Sequence, residues 1–265
     1  MSADQGRYEQ AAKLIWDSWQ SGEAISELPI NLRPKTRLEG YKVQEQLEKF
    51  SGKPVFGWKI AATSSVGQEH IGVSGPIAGI LLQQRVFRSK ERLVFGKNRM
   101  AVAEPEFAFK MGASLLPREE EYTQHEVMSL VDNLYPAIEI PNSRFQNFEK
   151  VGENQLIADN ACAHEFVIGS AMPATWRNLN LSQQTVSIST QYGAVSDGVG
   201  ANVLGDPRAA LTWLVNELSR HEITLKTGMV VTTGTCAKPL SIKAGAVVTA
   251  DFGVLGNVQA IFSDS

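Results

Sequence analysis

Three carboxylates stand where they can hold a cation. Glu104 and Glu106 are separated by one residue in Ala103-Glu-Pro-Glu-Phe-Ala-Phe109, and Glu139 sits in Ala137-Ile-Glu-Ile140. Both stretches read as strands. Side chains two apart on a strand share a face. Glu104 and Glu106 therefore point the same way, and a crossover can bring Glu139 beside them. Acids gathered in an apolar wall repel one another and lose hydration, and a cation among them relieves both costs. An all-oxygen ligand set suits Mg²⁺ or Mn²⁺. A lone Glu-x-Glu is also the pattern of an edge strand with a solvated face. Glu139 argues against that reading, because Ala137, Ile138 and Ile140 flank it between Pro136 and Pro141. Pro105 fixes the backbone between the paired acids and removes a ladder donor.

Other polar groups can serve such a site. Lys59 lies inside the apolar run Phe56-Gly-Trp-Lys-Ile60. It either snorkels to the surface or turns an ammonium toward the carboxylates. In the second case it offsets their charge, binds an anionic substrate, or loses its proton beside a metal and acts as a base. Thr63 and Ser64 offer hydroxyl donors at the end of that strand. Glu69 and His70 follow, just before a glycine-rich turn at Gly72, Gly75 and Gly79, and His70 is a candidate proton carrier. His125 and His221 read as surface residues of helices, and His164 fits either a structural or a site role. Asp159 and Asn160, in Gln155-Leu-Ile-Ala-Asp-Asn-Ala-Cys162, suit a turn or cap, or order a pocket, with Arg144 available to pair a carboxylate there. Thr235, in Thr232-Thr-Gly-Thr-Cys-Ala237, closes a plain turn or donates to a substrate carboxylate.

The elements that must position these groups are short. Helices are expected at 7–20, with Tyr8, Ala12, Ile15 and Trp19 on one stripe, and at 36–50, with Leu38, Tyr41 and Leu47 apolar. A third is expected at 123–134, from a capping-box pattern of Thr123 and Glu126. A fourth is expected at 207–221, behind an Asp206 cap and Pro207. Strand-like runs cover 55–62, 80–86, 101–110, 137–140, 165–168, 185–190, 229–233, 247–252 and 256–262. This is not a regular strand–helix alternation, so a doubly wound sheet is not expected. The fold class read here is α+β: a mixed, strongly curved β structure with helices at its edge. Residues 1–54 form a helical N-terminal cap, and residues 55–265 form the body.

Composition excludes several classes. At 265 residues, 43% hydrophobic, 20% charged and a net charge of −3, the chain is an ordinary globular protein with no basic run for nucleic acid. No apolar stretch approaches the roughly 20 residues of a membrane span, and the polar N-terminus lacks a signal-peptide core. Cys162 and Cys236 have neither CxxC nor zinc-finger spacing, and a cytoplasmic location with reduced thiols is the expectation. The glycine-rich stretch 193–205 lacks GxGxxG and a P-loop lysine, and no G-x-S-x-G elbow occurs.

Taken together and in order, five blocks resemble a known family. They are Gly57-Trp-Lys-Ile with Thr63-Ser64, Ala103-Glu-Pro-Glu-Phe-Ala-Phe, Ala137-Ile-Glu-Ile-Pro-Asn-Ser-Arg, Ala158-Asp-Asn-Ala and Thr233-Gly-Thr. The sequence is similar, from about residue 7 to its end, to the 2-hydroxypenta-2,4-dienoate hydratase and 4-oxalocrotonate decarboxylase group of the fumarylacetoacetate hydrolase superfamily. The resemblance implies a β-roll with a helical N-terminal part, a divalent metal on Glu104, Glu106 and Glu139, and an active-site lysine at Lys59. It also implies a homo-oligomer and a small 2-oxo or 2-hydroxy acid substrate from aromatic catabolism. The implied reaction is addition of water to a 2-hydroxydienoate, giving a 4-hydroxy-2-oxo acid. Decarboxylation of a 2-oxo-3-enedioate and C–C hydrolysis of an acylpyruvate share the same electron sink and stand as alternatives. An acid-lined binding scaffold is the non-enzymatic one. In that mechanism Lys59, His70 and Glu69 are the expected proton-transfer groups, and Thr63, Ser64, Arg144, Asp159, Asn160 and Thr235 the expected substrate-side groups. Two positions depart from the family pattern. The turn Gly75-Pro-Ile-Ala-Gly79 has no aspartate, for which His70 or Glu69 is the expected substitute, and Cys162 replaces a serine.

Overall fold

The computed structural model describes residues 3–264; Met1 and Ser2 of the polar N-terminal stretch lie outside the described residues. In chain order the elements are α1 (Ala3–Ser21), α2 (Arg37–Ser51), β1 (Val55–Ala61), α3 (Ser65–Ile71), β2 (Ile77–Leu82), β3 (Val86–Arg88), β4 (Arg92–Leu93) and β5 (Val102–Met111). There follow α4 (Gln124–Ser129), β6 (Val131–Ile140), α5 (Glu153–Ala158), β7 (Glu165–Ile168), β8 (Thr185–Thr190), β9 (Val195–Val199) and α6 (Pro207–Arg220). The chain ends with β10 (Val230–Thr235), β11 (Leu240–Ser241), β12 (Val247–Asp251) and β13 (Asn257–Phe262).

The described strands form two sheets. The larger is mixed and curled, in the order β2-β1-β10-β5-β6-β7-β3, with β11 added along β5. Its β1–β10 and β3–β7 pairs are parallel and its other pairs antiparallel. The smaller sheet runs β4-β13-β12-β8-β9. One continuous apolar core joins both sheets to α1 and α2: Ala12, Ile15, Tyr41 and Leu47 of the helices share it with Phe107, Ile138 and Val248. The two helices thus pack directly on the body. Leu38, expected on the apolar stripe of α2, is instead 45% exposed.

The third helix is shorter than its periodicity suggests. Thr123 and Glu126 form the expected reciprocal capping box, but α4 ends at Ser129. From Val131 the chain is strand, with Leu134 opposite Phe109 and Val131 opposite Met111. Both residues are buried in that pairing, so a ten-residue ladder overrides a helical pattern that carried Asp132 and Asn133 in its last turn. The prolines of β5 and β6 sit where the ladder allows them. Pro105 lies beside the register shift between Thr232 and Thr235 of β10, where no donor is demanded of it.

Candidate metal centre and its neighbours

Register assembles the three glutamates. Glu104 and Glu139 are partners across the β5–β6 ladder, and Glu106, two residues along on the same face, is opposite Ala137. One carboxylate oxygen from each lies within 4.8 Å of the other two. Glu106 and Glu139 are fully buried, and Glu104 is half-buried.

The hydrogen bonds to this cluster are unequal. Glu106 Oε2 accepts from Thr232 Oγ1 at 2.5 Å and from the Gly234 amide at 2.8 Å. The second bond exists because Gly234 adopts a φ of +102° in the β10 bulge, a region open to glycine and strained for other residues. A Cβ there would also meet Thr63 Oγ1 at 2.4 Å. In contrast, Glu106 Oε1 and Glu139 Oε2 are buried and have no donor among the described residues. Glu139 Oε1 lies 2.9 Å from Lys59 Nζ.

The electrostatics follow from burial. Loss of hydration, and then the charge of Glu139, push the Glu104 carboxyl up to about 7. The same causes, joined by Glu104, raise Glu106 well above the carboxylate range, and Lys59 pulls both back. Burial lowers the Lys59 ammonium, but Glu139, Glu104 and Glu106 outweigh it and raise its pKa overall. The charges of the three acids thus favour the ammonium of Lys59 over its neutral form. Three buried carboxylate oxygens without a hydrogen-bond donor among the described residues, Glu106 Oε1 and both of Glu139, a third acid within reach and an all-oxygen donor set fit a hard divalent cation.

The remaining expected residues divide into groups. Lys59 is buried, facing the acids, and its Nζ also donates to the Ala161 carbonyl at 3.1 Å. Thr63 is buried against Gly234. Ser64 caps α3, its Oγ accepting from the Gly67 amide. Asp159 is wholly buried and accepts from Ser143 Oγ at 2.5 Å and from the Arg144 backbone and guanidinium. Arg144 in turn spends its other donors on the carbonyls of Asn142, Ala163 and Asp159. Asn160 accepts from the Ile80 amide at 2.6 Å and donates to the Ile80 carbonyl at 2.9 Å. Thr235 donates to the Ala237 carbonyl at 2.6 Å, which commits its proton within its own turn. Cys162, at the serine position, is buried, and burial with the nearby charge of Asp159 pushes its thiol up to about 12.

Glu69 and His70 are not brought to the cluster. They lie on α3, a seven-residue helix with no buried residue. The His70 side chain is 62% exposed, lies 3.8 Å from Glu149 and meets Phe148 edge-on. Helical spacing turns these side chains out, and residues 65–71 carry no apolar stripe that would reveal the helix. The turn expected to be short of an acid carries Ile77, which is fully buried at the start of β2. Three groups of the site were not expected from sequence: the Thr232 hydroxyl, the Gly234 amide and the Ala161 carbonyl. The Thr-Thr-Gly-Thr run was the available signal, but which threonine faces the acids depends on the bulge.

The family model for fumarylacetoacetate (FAA) hydrolase, C-terminal, matches residues 53–262. The chain belongs to that family. The 2-keto-4-pentenoate hydratase of Paraburkholderia xenovorans is 30% identical over 260 residues, covering 97% of this chain and 95% of its own. A TodF product hydratase of Pseudomonas putida is 31% identical over 267 residues, covering 99% and 97%. Among solved structures, the 4-oxalocrotonate decarboxylase from Pseudomonas putida G7, complexed with magnesium and adipate, superposes with a TM-score of 0.87 at 24% identity over 97% of each chain. The FAA hydrolase fold is thus shared across the whole length, helical cap included, while the model itself begins at β1.

Proposed function

We propose that the protein is a metal-dependent hydratase that adds water to a 2-hydroxydienoate, giving a 4-hydroxy-2-oxo acid. The observation that carries this reading is the buried Glu104–Glu106–Glu139 cluster facing a charged Lys59, in a chain about 30% identical over nearly its full length to 2-keto-4-pentenoate hydratases. Glu104, Glu106 and Glu139 are the residues that hold a divalent cation, Mg²⁺ or Mn²⁺. Such an ion supplies Lewis-acid stabilisation of negative charge developing on a 2-oxo oxygen.

The chain's own groups do the rest. Thr232 Oγ1 and the Gly234 amide hold Glu106 in one rotamer, with Oε1 left for ligation. Lys59 offers its ammonium to an anionic substrate and holds a proton at Nζ for transfer to carbon or oxygen. An interaction that strengthens as charge gathers on the substrate favours the transition state over the ground state. Thr63 is packed on Gly234 at this end of β10.

A second reading, decarboxylation of a 2-oxo-3-enedioate, is supported by one observation. Ile77 is buried in the turn where the family hydratases carry an acid, and Glu69 and His70 face outward. Decarboxylation needs no activated water. Incubation with Mg²⁺ and a panel of 2-hydroxydienoates, oxo-enedioates and acylpyruvates, with products read by mass, separates the readings. Gain of one water supports hydration, loss of CO₂ supports decarboxylation, and neither change on any member overturns both. A cytoplasmic location is part of the proposal, supported by two buried free cysteines. A homo-oligomeric state is also part of it. It is supported by the half-buried Phe56, Val86, Tyr135 and Ile168, which extend a small apolar cluster on the large sheet.

A further inference from the structure

Asn160, Ala161 and Cys162 follow one another in the left-handed region, at φ of +59°, +49° and +60°. None is glycine. A side chain in that region is disfavoured, and such runs persist only where the surroundings impose them. The surroundings here are specific. Asn160 is fully buried and its side-chain amide satisfies both the N–H and the C=O of Ile80 on β2. Gly79 admits the Asn160 carbonyl so closely that a Cβ would lie 2.2 Å from it. Upstream, Asp159 is clamped by Ser143 and Arg144. Arg144 is itself stacked over the Trp19 ring of α1, 4.4 Å from its centre. The product of this clamping is one carbonyl held toward Lys59, that of Ala161, 3.1 Å from Lys59 Nζ.

We propose that the Asn160–Ala161–Cys162 turn is a strained positioning device for Lys59, with Asn160 as its principal positioning residue. An ammonium has three donors. The Ala161 carbonyl accepts one of them, and the Glu139 carboxylate 2.9 Å away holds the head by charge, so the remaining protons are aimed by these two anchors. The turn sets this carbonyl as a second anchor beside the Glu139 ion pair, and thereby fixes where the remaining protons point. Asn160 and Asp159 act through Lys59 and do not touch substrate: their polar atoms are already spent on the fold. This inference rests on the proposed reading only in giving Lys59 a substrate to meet.

The test uses A161G, N160A, K59M and the double variant N160A/K59M. Melting temperature is read without metal, oxalate affinity with Mg²⁺ is read by calorimetry, and kcat and KM are read on 2-hydroxypenta-2,4-dienoate. A161G removes a left-handed alanine and loosens the carbonyl. Its melting temperature is expected to hold or rise while kcat falls about tenfold and oxalate affinity weakens. A purely structural turn would move stability and activity together. N160A is expected to lower oxalate affinity and kcat in the wild-type background and to add nothing in the K59M background. Full kcat in A161G, or additive losses in the double variant, overturns the proposal. If the wild type hydrates nothing, the hydratase reading fails by itself. The oxalate cycle still decides the positioning role, and A161G decides it by oxalate affinity if N160A does not fold.

Discussion

Lys59 Nζ lies 2.9 Å from Glu139 Oε1, with both side chains at most 3% exposed. One ammonium cannot balance three clustered carboxylates, and the raised Glu104 and Glu106 record the imbalance. Three carboxylates, one ammonium and one divalent cation come to neutrality. A buried charge left unpaired is far more costly than a paired one, so the arrangement fits a 2+ ion.

Replacing the ammonium tests that charge balance. K59M is expected to lower turnover by about 10²–10⁴-fold, the usual size of a lost proton-transfer group. It also removes a cation that competes with the metal, so Mg²⁺ affinity by calorimetry should rise. Turnover close to wild type, or weaker Mg²⁺ binding, would remove Lys59 from this role.

Neutralising a ligand should separate stability from metal response. In E106Q the like-charge repulsion falls and the contacts from Thr232 and Gly234 hold the side chain in place. Without metal the variant should melt at or above the wild-type temperature. The wild type gains about 2.7 kcal/mol when Mg²⁺ is present at 100 times its Kd; E106Q should gain almost none of it. An undiminished Mg²⁺-induced shift in calorimetric melting would count against ligation.

The Thr232 hydroxyl stands behind Glu106, a proposed ligand. T232V keeps shape and removes the 2.5 Å bond to Glu106 Oε2. Loss of such a supporting partner typically costs 10–100-fold in metal affinity, and the same range is expected here with the fold intact. Unchanged Mg²⁺ affinity would show that the Gly234 amide alone suffices to orient Glu106.

His70 separates a sequence expectation from its placement. Its exposed side chain, beside Glu149 and Phe148, predicts that H70A keeps turnover within a few-fold of wild type. Loss of water addition with retained enol–keto exchange would instead put α3 over the site during reaction and restore the proton-carrier role.

The glutamate trio and the Lys59 strand were legible because strands alternate with period two: once Ala103–Phe109 and Ala137–Ile140 are strands, the acids share a face. Two features were not legible for definite reasons. The outward direction of Glu69 and His70 depends on a helix too short and too exposed to carry an apolar stripe. The roles of Asp159 and Asn160 depend on partners distant in sequence, Arg144 and Ile80, so a local pattern that suits a pocket in fact builds the turn behind it. Likewise the helix expected at 123–134 stops at Ser129 because pairing with β5 is a non-local gain that no window around Val131 contains.

The acid limb of stability should report the docking of α2. Glu217 on α6 accepts from Arg37 Nη2 at 2.6 Å and from the Tyr41 hydroxyl at 3.1 Å, and lies 3.4 Å from His221 Nε2. Arg37 also binds Glu153 of α5 and the Pro76 carbonyl. One carboxylate thus ties the first turns of α2 to the body. Burial alone would raise Glu217, but the bonds from His221 and Arg37 outweigh it and hold the carboxyl down at about 2 against an ordinary 4.5. A carboxyl depressed in the folded state binds fewer protons than in the unfolded chain between those two values, so stability falls as pH falls through them. The contribution is fully present above about 4.5 and lost by about 2. E217Q cannot titrate, so its melting temperature should start lower at neutral pH and decline less steeply between pH 4.5 and 2. Parallel wild-type and E217Q curves over that window would show that this carboxylate does not govern the acid transition.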